Sequence, residues 1–210
     1  MHSLSAKLLI WYQKQGRKFS FRKATDPYQI LVSEILLRQT TAKQVDKVFP
    51  KLIKRYPSVN DMANAKTENL KVILRPLGII SRAEQLIEIS RQIVTSYGGS
   101  VPRDMRSLLR LKGVGPYIAG CVLSFAYGHF LPLIDSNVSR VLSRVFSLNQ
   151  RDIRSLEMAY ISIAPKGQAR YFHYALLDLA ALVCRPEKPN CNNCPIQDEC
   201  MFFKKLYRGK

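Results

Sequence analysis

Four of the chain's five cysteines, Cys184, Cys191, Cys194 and Cys200, fall within 17 residues in the order C-x6-C-x2-C-x5-C. Four thiols this close in sequence can surround one metal centre without long-range folding, and in a reducing compartment they favour metal over disulfides. Tetrahedral zinc and a [4Fe–4S] cluster both accept four cysteines. Zinc sites usually use two closely spaced pairs, and only Cys191 and Cys194 form one here. The uneven spacing, with Pro186, Pro189 and Pro195 bending the loop, suits the larger cluster better. Cys121 stands apart in an apolar segment and reads as a small buried side chain.

The rest of the chain repeats its apolar residues at helical spacing, with no convincing run of alternating strand character, which predicts an all-α fold. Asp26-Pro27 caps and opens a helix holding Ile30, Leu31, Ile35 and Leu36. A second carries Val45, Val48, Phe49, Leu52 and Ile53, and Pro57 stops it. A third holds Leu70, Ile73, Leu74 and Leu77 and ends at Gly78. Ser81 and Glu84 have capping-box spacing before the next, which Gly98-Gly99 closes. A short helix near 106–111 runs into Lys112-Gly113-Val114-Gly115, and Pro116 opens another. Helices near 138–146, 153–163 and 168–183 complete the set. There is no repeat, low-complexity run or evident linker.

Lys and Arg total 33 against 15 Asp and Glu, a formal charge of +18. Folding does not require such an excess, and it points to a polyanion, above all nucleic acid. No apolar stretch is long enough to cross a bilayer. Met1-His2-Ser3-Leu4 lacks the basic-then-apolar order of a secretion signal, so an intracellular, cytoplasmic protein is expected.

Leu111-Lys112-Gly113-Val114-Gly115 joins two helices. Its glycines permit a tight turn, and the amides opening the second helix favour an anion such as a DNA phosphate. On its own such a turn is ordinary. An aspartate at a helix start, such as Asp135, is ordinarily an N-cap, although the apolar run Leu131–Ile134 before it suggests partial burial. Glu34 likewise reads either as a solvated helix residue or, from its apolar flank, as a half-buried carboxyl.

Together these segments resemble the helix-hairpin-helix DNA glycosylases, the endonuclease III-like and MutY-like enzymes. L-x-G-V-G, one helix, then Asp135-Ser136-Asn137-Val138 is similar to the family's hairpin and catalytic aspartate. The cysteine spacing is that of the family's iron–sulfur loop. Ser33 to Thr40, Tyr56 to Val59, Leu77-Gly78 and Arg82-Ala83 follow in the family's order. The resemblance implies a six-helix barrel domain over 23–131 and a discontinuous iron–sulfur domain from 1–22 plus 132–210, with the DNA groove and base pocket between them. It implies a [4Fe–4S] cofactor, double-stranded DNA with a mismatched or damaged base as partner, no membrane, and a monomer.

The resemblance also assigns roles. Asp135 stabilises the sugar cation that develops as the C1′–N bond breaks, and Glu34 matches an acid of the MutY family. Gln39 matches the residue that fills the space left by the extruded base. Ile79 or Ile80 could wedge the opposite strand, although both could equally be core. Lys112, Gly113, Val114 and Gly115 would meet phosphate. Two residues beyond the second hairpin glycine, strand-cutting relatives have a lysine, and this chain has Tyr117. A phenol cannot form an imine, so hydrolysis without a strong lyase step is expected. Lys112 stands where the family usually has proline.

Archaeal thymine–guanine mismatch glycosylases resemble the chain best. They are short, have tyrosine at the position of Tyr117, and share the segments Leu36 to Thr41 and Arg82 to Leu86. Thymine or uracil opposite guanine is the expected substrate. Arg38-Gln39-Thr40 looks more like the adenine glycosylases, which act opposite guanine or 8-oxoguanine and generally carry a further C-terminal domain. Only ten residues follow Cys200, so that domain is expected to be missing. A non-catalytic DNA-binding module is the alternative of another class.

Overall fold

The computed structural model describes residues 3–207, so Met1 and His2 of the N-terminal reading and the last three residues of the basic tail lie outside the described residues. Every regular element among the described residues is helical. The chain divides into two compact units: Lys18–His129, and a discontinuous unit that joins the segment up to Arg17 to everything from Phe130 onward.

The central unit contains α2 (Pro27–Leu37), α3 (Ala42–Arg55), α4 (Val59–Ala63), α5 (Thr67–Leu74), α6 (Arg82–Tyr97), α7 (Met105–Leu109) and α8 (Pro116–Ala126). Asp26 caps α2 as its sequence predicts, accepting from the Gln29 amide at 3.1 Å. Residues 28 and 30–36 of α2 are buried, as are residues 118–125 of α8, and the two helices pack on each other. A helix apolar on all sides belongs in a core, and these two form the centre of the unit. The capping box expected from Ser81 and Glu84 does not form. Ser81 has helical φ/ψ (−59°, −19°) instead of the extended backbone a cap needs, and Glu84 pairs with Lys71 at 3.2 Å. Capping boxes form instead at Thr41/Gln44 and Ser58/Asp61.

The terminal unit contains α1 (Ser3–Gln15), α9 (Ser136–Phe146), α10 (Ile153–Ile163), α11 (Ala169–Leu182) and α12 (Met201–Tyr207). Leu4, Leu8 and Trp11 of α1 join Val138, Leu142, Tyr160, Phe172 and Leu176 in one core. The Tyr160 and Phe172 rings meet edge to face at 5.5 Å. Asp178 on α11 is fully buried and accepts from both the backbone N–H (2.6 Å) and the Nε (2.7 Å) of Arg17, which fastens the end of the N-terminal segment to a helix 161 residues away.

Candidate functional site

The hairpin lies wholly in the central unit. Asp104 caps α7 by accepting from the Ser107 amide at 2.9 Å, and these hydrogen bonds hold its carboxyl below the usual carboxylate range. Leu111 and Val114 are buried, so they pin the turn, while Lys112 and Gly113 face solvent. Gly113 has φ +80°, and a Cβ there would stand 2.2 Å from Gln85 Nε2. Gly115 is extended (φ −92°), and a Cβ there would enter open space. It caps α8 without a side-chain hydrogen bond, and Pro116 follows at the first helical position.

Two other helices hold this turn in place. Gln92 of α6 donates to the Arg110 carbonyl (2.8 Å) and accepts from the Lys112 amide (3.2 Å). Arg38, just past α2, donates to the Gly113 carbonyl at 3.1 Å. The backbone groups at the tip are therefore ordered by the protein before any ligand arrives.

The same end of α2 carries Gln39, exposed and in the left-handed region with φ +57°. Left-handed non-glycine backbone is strained and concentrates at functional sites. Buried Arg82 donates to the Ile35 carbonyl and, at 3.4 Å, to Gln39 Oε1. Burial, with Arg38 nearby, lowers the pKa of Arg82. In the turn before Arg82, Ile79 is half-buried and Ile80 is 43% exposed, so neither is a core residue. Glu34 is buried on α2, and Tyr117 is half-buried in the first turn of α8.

Asp135 belongs to the terminal unit. It is half-buried and caps α9, with Oδ1 accepting from the Val138 amide at 2.7 Å. Its Oδ2 accepts from Asn137 Nδ2 at 3.0 Å. Asn137 Oδ1 in turn accepts from Arg140 at 3.1 Å, and Arg140 also donates to the carbonyls of Cys184 (3.0 Å) and Ala180 (3.2 Å). The N-cap expected at Asp135 is present, and it coexists with an oriented second oxygen. Sequence reasoning gave Asn137 no role beyond its place in the segment after Asp135, and it missed Arg140. Their only signal was position, two and five residues beyond the aspartate.

The four loop cysteines line one apolar pocket with Val141, Leu179 and Ile196. Arg144 clamps the loop by donating to the carbonyls of Arg185 (2.7 Å) and Pro186 (2.6 Å), and lies 3.4 Å from Cys184 Sγ. Burial pushes the Cys194 thiol up to about 12 and raises Cys191 and Cys200. Among the described residues, no three His, Cys, Asp or Glu side chains are grouped as a metal ion requires. Four cysteines lining one apolar pocket, with Arg144 beside Cys184, are nevertheless the donor types that a bulky, thiolate-bound cluster takes. Cys121 is fully buried in α8 and belongs to the central unit, not to the unit that holds the other four.

Comparison with known proteins agrees with this geometry. The family model described as the HhH-GPD superfamily of base excision DNA repair proteins matches residues 32–164. A thymine-DNA glycosylase of Aeropyrum pernix is 38% identical over 97% of this chain and 95% of its own length. An adenine DNA glycosylase of Buchnera aphidicola is 32% identical over 93% of this chain, which spans 57% of that relative. A solved structure of a thermostable thymine-DNA glycosylase matches with a TM-score of 0.88 at 32% identity, over 96% of this chain and 95% of that one. No helix among the described residues is long and apolar enough to cross a membrane. A hairpin held from two sides, a capped aspartate and a match over most of the chain together place it in the HhH-GPD superfamily of base excision DNA repair proteins.

Proposed function

We propose that the chain is a monofunctional DNA glycosylase that hydrolyses the N-glycosidic bond of thymine or uracil opposite guanine. The observation that carries this reading is the match, over nearly the full length of both chains, to a thymine-DNA glycosylase. Tyr117 supports the monofunctional part, since its phenol offers no amine for a Schiff base.

The target base must leave the stack before chemistry, and a mismatched base costs less to extrude. Lys112, Gly113, Val114 and Gly115 hold a phosphate, Gln39 fills the vacated space, and Ile79 or Ile80 separates the opposite strand. The Asp135 carboxylate then stabilises the oxocarbenium-like sugar and positions water. Asn137, on one carboxylate oxygen, fixes its plane. Glu34, buried on α2, serves the leaving base directly or through water, and Tyr117 stacks on it. Cys184, Cys191, Cys194 and Cys200 hold a [4Fe–4S] cluster, which when bound cross-links the loop and presents its basic flanks to DNA. We assign the cluster domain to the discontinuous unit and the barrel to the central one. The enzyme acts inside the cell as a monomer.

The two hairpin glycines separate stability from binding. Gly113→Ala is expected to destabilise the protein by about 1–2 kcal/mol, because alanine resists positive φ and Gln85 must move. Gly115→Ala meets no such clash, so its urea midpoint stays put while duplex affinity falls as the methyl blocks phosphate approach. Equal affinity for both variants and wild type would remove the hairpin from the interface.

The test of function is single-turnover base release from labelled T·G, U·G, A·G and A·8-oxoguanine duplexes, each with and without alkali. Strand breaks at T·G and U·G only after alkali support the proposal. Preference for adenine would make this an adenine glycosylase, and breaks without alkali would restore a lyase. No release from any duplex would leave a DNA-binding module.

A further inference from the structure

Helix α3 carries a segregated charge that the site above does not use. Lys43, Lys47, Lys51, Lys54 and Arg55 are all exposed. At 3.6 residues per turn they fall within an arc of about 120° and run along about 18 Å of axis. Val45, Val48, Phe49 and Leu52 bury the opposite side. The helix has one acid, Asp46, and it lies off the basic arc. Asp46 is engaged by the neighbouring turn, accepting from the Ser20 amide at 2.5 Å and the Ser20 hydroxyl at 2.7 Å.

Ordinary helix electrostatics accounts for only part of this. Lys54 and Arg55 sit in the last turn, where cations favour the helix dipole. Lys43 sits in the first turn, where a cation opposes it. The pairs 43/47, 47/51 and 51/55 are like charges four residues apart, which destabilise a helix. The long helix α6 differs, interspersing Arg82 and Arg91 with Glu84 and Glu88, and one of these acids is tied to Lys71. A row of cations that opposes its own helix is compensated when a polyanion neutralises it. Only three residues, Gln39, Thr40 and Thr41, separate Arg38, which holds the hairpin, from the start of α3.

We propose that this face of α3 is a second DNA contact, a rail for the phosphate backbone of duplex DNA that holds the enzyme on undamaged sequence. The proposal rests on the reading above only in taking DNA as the polyanion. A rail of five side chains reads no bases, so it strengthens binding to paired DNA and damaged DNA alike.

The test uses the full chain with Lys47→Gln, Lys51→Gln and Lys54→Gln combined, all exposed positions outside the catalytic set. Binding to a long, perfectly paired duplex is measured as a function of salt. The slope of log affinity against log salt is expected to become shallower by about 2–3, since each lost phosphate contact removes about 0.9. Base release from a short mismatch duplex at saturating enzyme stays at the wild-type rate. An unchanged salt slope overturns the rail. So does a variant that keeps its duplex affinity but loses binding to anionic lipid vesicles, which would reassign the face to a membrane surface. Because paired DNA undergoes no chemistry, this result stands whether or not any base is released.

Discussion

Asp135→Asn is expected to lower single-turnover base release by about a thousandfold or more while leaving duplex affinity intact or tighter. Two features make the substitution informative. Asparagine caps helices about as well as aspartate, so the Val138 amide keeps its acceptor and α9 keeps its start. The change removes a negative charge from a site meant for a polyanion, so binding has no electrostatic reason to weaken. What disappears is the full charge proposed to meet the sugar cation. Asparagine also loses the second acceptor that Asn137 now occupies. Asp135→Ser, a cap without a carboxylate, should reproduce the loss. If either variant released base at the wild-type rate, the carboxylate would be a cap and nothing more, and the glycosidic chemistry would belong to another residue.

Cys194→Ser is expected to abolish the visible absorbance and bound iron of the purified protein and to lower its melting temperature by about 10 °C or more. Serine is nearly the same size, so packing alone cannot produce so large an effect. The thiol sits where burial pushes its pKa up to about 12, and such a sulfur is held as a thiolate only when it binds metal. Around it, Ile196 and Cys200 belong to the terminal core with α9 and α11. Loosening the loop also frees the Cys184 carbonyl from Arg140, so base release should fall with the chromophore. Cys121→Ser, in the other unit, should keep the colour. A colourless wild-type protein that contains zinc, prepared without oxygen, would sink the cluster assignment.

The parts of the site that local chemistry dictates were legible in the sequence. Asp26-Pro27, the G-V-G turn and the aspartate opening α9 each act through their own backbone, and the four cysteines are neighbours in one loop. The parts made by distant contacts were not. Gln92, Arg38 and Arg82 look like solvated helix residues until the fold brings them to backbone carbonyls and amides 18 to 75 positions away. Arg140 looks like another surface cation, yet it orients Asn137 and reaches the cysteine loop. The five-residue α4 is too short to show a periodicity, and Ser81 has a cap's chemistry without a cap's backbone.

The division of the chain sets an order for its manufacture. The central unit is one continuous stretch, so it can fold while the ribosome is still adding residues. Helix α1 is made first and completed last. Its buried face, Leu4, Leu8 and Trp11, waits for α9 and α11, and Arg17 waits for an aspartate 161 residues downstream. The nascent chain thus carries an uncovered apolar helix through most of its synthesis, and the four loop cysteines emerge after every α-helix except α12. A truncation before α11 leaves the central unit whole, with Asp135 opening a helix whose core partners Phe172 and Leu176 are missing.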